Sequence, residues 1–230
     1  MQINTPTLFV EINKTQFIFL VIKDNENEKF EIIYKVEVPI QGIDGKKIID
    51  LELVHNIFKN KIYTIEQNLN LVFKEACIII NNFDCSMINF TGYKRLNGSQ
   101  LAKENITYIL NSLKTKINEI ENNKTILHIF NSKCFLDKKK VENIPIGLFG
   151  DLYSHELSFF LINSNDYKNL ITIFQKCNLR IKKILSKSFI EGTTFINQNS
   201  DPETFIKIEI NENDTNIFFF ENSALKFFQN

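Results

Sequence analysis

Two short turns, one near each end of the chain, carry polar side chains that could face a ligand. Each turn follows an apolar strand and opens with the same acid-Ile-Asn triplet, Glu11-Ile12-Asn13 near the start and Glu209-Ile210-Asn211 near the end. Amide and hydroxyl groups follow the acid closely in both turns, and a second apolar strand leaves each of them. The repeated plan predicts a fold whose two halves begin alike.

The residue types that most often bind transition metals are few and scattered. No two cysteines form a C-x-x-C pair, and the histidines lie far apart in the sequence. Because metal sites need several such ligands at short spacing, we expect buried free thiols and no metal site. The cysteines are Cys77, Cys85, Cys134 and Cys177, and the histidines are His55, His128 and His155.

Length and charge exclude several classes of protein. A chain of 230 residues can form one large domain or two small ones, with a substantial core. Lys+Arg and Asp+Glu both number 27, so the formal net charge is +0, which argues against electrostatic capture of nucleic acid. No charged leader opens the chain, and no apolar run approaches the ~18 residues of a spanning helix. We therefore expect a soluble, cytoplasmic protein with reduced cysteines.

The first third of the chain has the pattern of an α/β half-domain. Residues rich in β-branched and aromatic side chains predict strands at Leu8–Asn13, Phe17–Ile22 and Phe30–Val38. Apolar residues at helical spacing predict a helix over Leu51–Val72. The almost wholly apolar run Cys77–Ile80 is typical of a strand buried on both faces. Together these elements predict a mixed sheet flanked by helices.

The remainder of the chain continues to alternate strands and helices. Ser99 is a suitable N-cap for the next helix. Pro145, Gly147 and Gly150 predict an irregular, flexible loop before a long strand. The pattern predicts strands at Ser86–Tyr93, Thr125–Phe130, Leu152–Ile162 and Arg180–Ser186, helices at Ser99–Glu121, Asp166–Cys177 and Glu191–Asn197, and a closing hairpin with the start of a third strand at Thr204–Phe228.

Five segments, in this order, resemble the FtsA family of bacterial division proteins, a branch of the actin, sugar-kinase and chaperone-ATPase superfamily. No single segment is a strong motif, and the order of the five carries the resemblance. It extends over almost the whole chain. The segments are VPIQGIDGKKIIDLE (38–52), TILHIFNSKCFLD (125–137), IPIGLFGDLYSHELSFFLIN (144–163), YKNLITIFQKCNLRIKKI (167–184) and FIKIEINENDTNIFFFENSALK (205–226).

The resemblance implies an α/β fold of the actin-like, ribonuclease H-like kind with a small α+β domain of SHS2 type inserted in it. Residues 1–85 and 164–203 would form the actin-like first lobe, residues 86–163 the insert, and residues 204–230 the first hairpin of an incomplete second lobe. Members of the family continue into an adenosine-binding loop and a membrane-binding helix. We expect the chain to be a portion of a longer protein or a reduced relative, with no membrane anchor of its own.

By the same resemblance the two polar turns correspond to the phosphate loops of the family. The second loop of the family reads D-I-G-G-G-T-T-D, and both turns of this chain lack glycine. Glycine lets phosphate approach bare backbone amides, and a carboxylate facing polyphosphate is costly. We therefore expect no ATP and no other cofactor. The vestigial loop positions are Glu11, Asn13, Lys14, Thr15, Glu209, Asn211, Asp214 and Thr215.

The degraded loops favour a non-enzymatic scaffold for cell division that acts through protein contacts. By resemblance its partners would be FtsZ or later septal proteins at the cytoplasmic face of the inner membrane, and the insert would contact them. Leu148, Phe149 and Tyr153 place apolar side chains beside the Gly147–Gly150 loop and are the predicted partner-binding residues. A pilus-assembly scaffold of the PilM type, a working ATPase and an unrelated α/β domain are the alternatives.

The closing hairpin predicts self-association. Phe218-Phe219-Phe220 and Phe227-Phe228 would belong to a second lobe that this chain does not complete. Aromatic side chains on an uncovered strand favour pairing between copies. We therefore expect these phenylalanines to be exposed.

Overall fold

A computed structural model of the protein describes residues 6–25, 29–81, 83–198, 204–210, 215–221 and 224–229. Its elements, in chain order, are β1 (Thr7–Ile12), β2 (Gln16–Asn25), β3 (Lys29–Pro39), β4 (Ile43–Asp44), β5 (Lys47–Ile48), α1 (Leu51–Leu69), β6 (Glu75–Ile80), β7 (Cys85–Arg95), α2 (Lys103–Ile120), β8 (Lys124–Leu136), β9 (Lys139–Val141), β10 (Leu152–Asn163), α3 (Ser164–Lys176), β11 (Arg180–Ser186), α4 (Lys187–Gln198), β12 (Thr204–Ile210), β13 (Thr215–Glu221) and β14 (Ala224–Gln229).

The chain divides into two compact units. The first unit comprises Met1–Asp84 and Asn163–Ile190, and the second comprises Cys85–Ile162 and Glu191–Asn230. The structure thus groups the closing strands with the insert, while their assignment to a second lobe stays a prediction.

A five-stranded mixed sheet is the centre of the first unit. Its strand order is β11-β6-β1-β2-β3. The first three strands of the chain form an antiparallel meander, whereas β6 and β11 run parallel to β1. Strand β6 has an almost wholly apolar sequence, EACIII, and its side chains are buried or half-buried, as a central parallel strand requires. The predicted mixed sheet is confirmed.

Helix α1 packs on this sheet through its apolar stripe. Asp50 caps its N-terminus by accepting a hydrogen bond from the Leu53 N–H at 2.9 Å. The helix ends at Asn70, whose φ of 51° is left-handed, so it is shorter than the predicted Leu51–Val72. The buried side chains of its stripe are Val54, Phe58, Ile62 and Ile65.

The two helices of the first unit lie side by side. The ring of Phe58 on α1 packs edge-to-face against Phe17 and Phe19 of β2, at 5.0 and 5.3 Å, and against Phe174 of α3, at 5.5 Å. Both helices flank the sheet, as predicted, and they also contact each other through Phe58 and Phe174. Parallel crossovers are right-handed, and both move across the sheet in the same direction, so both helices lie against one face.

The insert of the second unit is a four-stranded sheet, in the order β7-β10-β8-β9, covered by helix α2. Gly92 on β7 allows the close approach of the helix, because a Cβ there would lie 2.4 Å from Ile109 Cγ2. The core between sheet and helix includes Leu101, Ile109, Leu113, Ile117, Tyr153, Leu157, Phe159 and Leu161.

Helix α2 begins later than predicted, and Ser99 is not its N-cap. The cap residue is Ala102, whose N–H donates to Asn105 Oδ1 at 2.8 Å. The backbone of Ser99 instead accepts a hydrogen bond from the Gly150 N–H. Ser99 therefore belongs to an extended segment that pairs with the loop before β10, a long-range pairing that local capping preferences do not reveal.

The closing strands form a three-stranded antiparallel sheet, β12-β13-β14, that packs against α4. Phe220 stacks on Phe205 with ring centroids 4.6 Å apart. Gly192 on α4 lies directly against the Phe220 ring, where a Cβ would come within 2.2 Å of Cζ. Since no other residue could keep this spacing, the ring of Phe220 sets the position of the helix on the sheet.

Two of the phenylalanines that we expected to be uncovered are in fact buried. Phe218 is 3% exposed and Phe220 is 0% exposed, whereas Phe227 on β14 is 44% exposed. Strand β13 alternates, so Phe218 and Phe220 face inward together. The expectation of an uncovered aromatic run is wrong for these two residues.

Strand β14 packs against the sheet of the insert. Phe228 lies 6.0 Å from Phe160 of β10, measured between ring centroids. The Lys226 ammonium is buried and donates to the carbonyl oxygens of Asn131, at 2.5 Å, and Ser132, at 3.3 Å. Burial lowers the pKa of Lys226, while the Glu221 and Glu156 carboxylates oppose this effect. The backbone of β8 thus supplies polar partners for the buried lysine.

Within the described residues, no helix has both the length and the hydropathy that would be needed to span a bilayer.

Asp166, in the first turn of α3, carries a carboxyl group in a buried position. Asp166 is only 5% exposed. Burial raises the pKa of Asp166, and the nearby Asp84 carboxylate raises it further, while Lys47 acts in the opposite direction. The ionised form of Asp166 therefore costs free energy in the folded protein.

We expect Asp166→Asn to raise the thermal midpoint at pH 7 by a few degrees, since about 1 kcal/mol moves a domain of this size by about 2–4 °C. A raised carboxyl pKa destabilises the folded state once the pH exceeds the unfolded value of about 3.9. The difference between variant and wild type should therefore shrink as the pH falls toward 4. Thermal denaturation followed by circular dichroism at several pH values from 4 to 8 measures this difference in thermal midpoint.

Asp44→Asn, at an exposed position, is the matched control and should shift the midpoint little. An Asp166→Asn effect that does not change with pH, or a lower midpoint at pH 7, would contradict the raised pKa of the buried Asp166 carboxyl group.

Candidate functional site

The turn between β1 and β2 completes its own hydrogen bonds. The Asn13 side-chain Oδ1 accepts from the Thr15 N–H at 2.9 Å and from the Gln16 N–H at 2.8 Å. The Thr15 hydroxyl donates to the same oxygen at 3.4 Å, and the Asn13 N–H donates to the Gln16 carbonyl at 3.2 Å. An Asn side chain thus occupies the backbone amides that a phosphate loop would offer to its ligand.

Glu11, at the end of β1, is the one acidic residue of this turn and is nearly buried. It is 8% exposed and lies on the sheet face opposite Phe58, since its neighbours Val10 and Ile12 pair with Phe19 and Phe17. Its carboxylate accepts a hydrogen bond from the Lys187 ammonium, with Nζ and Oε1 separated by 2.6 Å. Lys187 is the first residue of α4. A lysine therefore neutralises the carboxylate inside the first unit.

Lys14 and Thr15, the other predicted residues of this turn, are exposed. The turn is therefore a polar surface loop with one buried ion pair at its base. In this arrangement the carboxylate of Glu11 and the amides of Thr15 and Gln16 are already engaged with groups of the chain itself.

The second turn is described only at its two ends, because Asn211 and Asp214 lie outside the described residues. Glu209 accepts a hydrogen bond from Lys207 Nζ at 2.6 Å, and Lys207 also pairs with Glu191 of α4. Thr215 is exposed and pairs across the hairpin with Ile210. The acidic residue at the start of each turn is thus bound by a lysine of its own unit.

Sequence reasoning did not identify Lys187 and Lys207 as partners of these acids. Lys207 could have been found, since side chains two residues apart on a strand share a face and Glu209 follows at that spacing. Lys187 lies 176 residues from Glu11 in the sequence, and only the packing of α4 brings the two together.

The metal-binding residue types remain dispersed in the part of the chain that the structure covers. No group of three or more His, Cys, Asp or Glu side chains there is close enough to hold a metal ion. All four cysteines are free thiols. Cys134 accepts a hydrogen bond from the Tyr153 hydroxyl at 3.4 Å, inside the core of the insert.

The three predicted partner-binding residues do not share one surface. Leu148 and Phe149 are 55% and 69% exposed, whereas Tyr153 is 0% exposed and belongs to the core under α2. Tyr153 therefore does not share a surface with Leu148 and Phe149, because the alternation of β10 turns its side chain toward the helix. A partner-binding role for Leu148 and Phe149 stays a prediction.

The loop that carries Leu148 and Phe149 is more constrained than its glycines suggested. The Leu101 N–H donates to the Leu148 carbonyl at 2.9 Å, and the Gly147 N–H donates to the Leu101 carbonyl at 2.8 Å. The Gly98 N–H donates to the Gly150 carbonyl at 3.0 Å. The two exposed apolar side chains thus project from a hydrogen-bonded segment and not from a free loop.

Comparison with known proteins extends the resemblance that the sequence suggested. No family model matches the chain. The cell division protein FtsA of Buchnera aphidicola subsp. Baizongia pistaciae (strain Bp) is 22% identical over 185 residues, which are 80% of this chain and 44% of that protein. The chain therefore corresponds to less than half the length of this relative.

One solved structure shares the fold of this chain closely enough to identify it. One chain of the PilM-PilN type IV pilus biogenesis complex superposes with a TM-score of 0.62 at 7% identity, over 98% of this chain and 61% of that chain. A Bacteroides thetaiotaomicron protein with an actin-like ATPase fold gives a TM-score of 0.44 at 14% identity, over 98% of this chain and 69% of that one. The chain thus has the fold of this chain of the PilM-PilN complex and is similar in sequence to FtsA, which confirms the resemblance to that family.

Proposed function

We propose that this protein is a non-enzymatic scaffold of cell division, which acts through protein contacts and has lost the nucleotide chemistry of its fold. The observation that carries the proposal is the Asn13 side chain, which binds the Thr15 and Gln16 amides in place of a phosphate. The similarity to FtsA supports division as the process.

The energetics of the first turn favour the ligand-free form. A phosphate entering this turn would have to displace two hydrogen bonds from Asn13, each worth about 1 kcal/mol. The Lys187 ammonium, which could otherwise attract a phosphate, is already paired with the Glu11 carboxylate. Because the turn has no glycine, its backbone cannot rearrange freely around a polyphosphate. These contacts support a role that requires no ATP and no other cofactor.

By analogy with FtsA, the partners would be FtsZ or later septal proteins at the cytoplasmic face of the inner membrane. The insert, which we regard as an SHS2-type domain, is the part proposed to contact them. Leu148 and Phe149 are its most suitable side chains, since both are apolar and exposed on a hydrogen-bonded segment. Self-association of the protein remains a further expectation.

A scaffold for pilus assembly is the second candidate. The superposition on a chain of the PilM-PilN complex supports it through fold alone. Localisation in dividing cells separates the two candidates, because a division scaffold gathers at the septum.

The function is tested with a fluorescent fusion of the full chain in dividing cells. We expect the wild type to gather at the division site together with FtsZ, and Leu148→Asp with Phe149→Asp to abolish this localisation. Because both side chains are exposed, the double variant should keep the circular dichroism spectrum and thermal midpoint of the wild type. Uniform distribution of the wild type would contradict the division role. Unfolding of the double variant would show that these residues are core.

We expect no binding of ATP with magnesium, with a dissociation constant weaker than about 1 mM, because Asn13 occupies the amides of the turn. Isothermal titration calorimetry measures binding, and phosphate release is compared with a heat-killed sample. Asn13→Gly should free the two amides without creating activity, since both turns still lack the other glycines of a phosphate loop. Saturable micromolar binding, or phosphate release above the heat-killed sample, would support the alternative of a working nucleotide-binding ATPase.

Lys187→Met should destabilise the protein by about 1–3 kcal/mol, since it leaves the Glu11 carboxylate buried without its partner. Adding Glu11→Gln should recover part of this loss. Urea denaturation of the single and double variants measures both effects.

Lys182→Met is the matched control, because Lys182 pairs with Glu75 at 3.0 Å at a more exposed position and should cost less than about 1 kcal/mol. Equal losses for Lys187→Met and Lys182→Met would show that the buried pair is no more important than a surface pair.

A further inference from the structure

One face of the sheet formed by β12, β13 and β14 is apolar and uncovered. Ile206, Ile208 and Ile210 of β12 are 59%, 57% and 81% exposed. The side chains between them alternate to the other face of the strand. There, Phe205 packs against Phe195 of α4 with ring centroids 4.8 Å apart. The three isoleucines therefore lie on the face that α4 leaves open.

The apolar face continues across the neighbouring strands. Ile206 lies opposite Phe219 of β13, and Ile208 lies opposite Ile217. Phe219 in turn lies opposite Phe227 of β14. Because residues directly opposite each other on paired strands share a face, these side chains form one surface. We call this surface the isoleucine face, and it consists of Ile206, Ile208, Ile210, Ile217, Phe219 and Phe227.

The size of the isoleucine face is that of an interaction site. Single exposed apolar side chains are normal on a protein surface, whereas a contiguous group marks a site of contact. At ~200 Å² for a large apolar residue, the exposed fractions correspond to an area on the order of 450 Å². A stable interface buries about 800 Å² on each partner. The isoleucine face is thus large enough to be the apolar centre of such an interface, with a polar rim around it.

The opposite side of this sheet is fixed by the core of the second unit. Phe205 stacks on Phe220 at 4.6 Å and Phe218 stacks on Phe228 at 4.9 Å, measured between ring centroids. Gly192 of α4 lies against the Phe220 ring. Because the strands are held from behind, little ordering of the backbone remains to oppose binding at the isoleucine face.

Charge at the isoleucine face indicates what kind of partner fits. Among the described residues of the three strands, alternation places a single ionisable side chain on this side, that of Glu221 at the end of β13. A membrane surface attracts proteins through lysine and arginine, and a charged partner needs a counter-charge. Neither is offered here. The formal net charge of the chain is +0, so two copies do not repel each other at long range.

We propose that the isoleucine face binds the same face of a second copy of the chain, so that two such sheets pack face to face in a symmetric dimer. A two-fold interface brings the same patch of both copies together, so that patch has to be complementary to itself. An aliphatic, uncharged sheet face meets this condition, because its side chains can interdigitate with those of an identical face about 10 Å away.

The position of Glu221 is compatible with this dimer. A two-fold axis that crosses the strands beside Ile208 makes the strands of the two copies run in opposite directions. The two Glu221 carboxylates then lie at opposite ends of the interface, separated by about the length of β13, which has 7 residues and spans about 20 Å. The like charges therefore stay apart, and both remain at the rim.

The dimer goes beyond the proposed scaffold function and does not depend on it. If that function holds, each dimer presents Leu148 and Phe149 twice, which strengthens binding to a partner that is itself repeated. Dimerisation is measured on the purified chain alone. The localisation experiment can therefore fail while the dimer forms, and the reverse can also occur.

Sedimentation velocity of the full chain over a range of concentrations tests the proposal. We expect a monomer–dimer equilibrium with a dissociation constant of about 1–100 μM, because the interface lies at the small end of specific ones. Ile208→Glu should weaken dimerisation by about thirtyfold or more, since it buries two facing carboxylates. Ile208→Thr keeps the branched shape and should weaken it by about fivefold.

Ile32→Glu is the matched control, because Ile32 on β3 of the first unit is 58% exposed and also lies on a strand. This variant should leave the dissociation constant unchanged. A second measurement tests the geometry. A bismaleimide that spans the ~10 Å between packed sheets should join two copies of Ile208→Cys, and should join wild type and Ile32→Cys much less.

Four results would overturn the proposal: a wild type that stays monomeric above about 200 μM, a folded Ile208→Glu variant that still dimerises, an equal loss of dimer in Ile32→Glu, and assemblies that grow beyond the dimer, which indicate a head-to-tail contact. If circular dichroism shows that Ile208→Glu is unfolded, the folded Ile208→Thr variant decides. An unchanged dissociation constant in that variant also overturns the proposal.

Discussion

The ring of Phe58 is the contact on which the first unit depends. It joins β2, through Phe17 and Phe19, to α3, through Phe174, in three edge-to-face contacts. Aromatic pairs in this geometry contribute about 0.5–1.5 kcal/mol each beyond their burial. By holding both helices against one face, this cluster leaves the opposite face of the sheet for Glu11 and its partner Lys187. The position of this ion pair therefore follows from the packing of the core.

Glycine and lysine contacts hold the second unit together. Gly92 brings α2 onto the sheet of the insert, and Gly192 brings α4 onto Phe220. Lys226 binds the carbonyl groups of β8. Lys207 lies on the same face of β12 as Phe205 and binds Glu209 and Glu191. Lysine thus takes part in the polar contacts of both units.

Local sequence patterns predicted most of the fold, because strand alternation and helical spacing reflect burial directly. The five-stranded sheet, α1 and the insert follow from such patterns. The start of α2 was missed because a long-range pairing of Ser99 overrides its capping preference. Tyr153 was grouped with Leu148 and Phe149 because the sequence of β10 does not show which of its alternating side chains face the core. The ion pair of Glu11 with Lys187 could not be predicted from the sequence, because only the tertiary fold brings the two residues together. The absence of glycine from both turns, by contrast, is visible in the sequence itself.

The self-contained turn at Asn13 also bears on how stability relates to the surroundings of the protein. A protein that binds a ligand only in its folded state gains stability as the concentration of that ligand rises. The N–H groups of Thr15 and Gln16 donate to Asn13 Oδ1 at 2.9 and 2.8 Å, so this turn needs no bound ligand to satisfy them. Under the proposed function, the folded population would not depend on the concentration of nucleotide, and the protein would be equally available for assembly when nucleotide is scarce and when it is abundant.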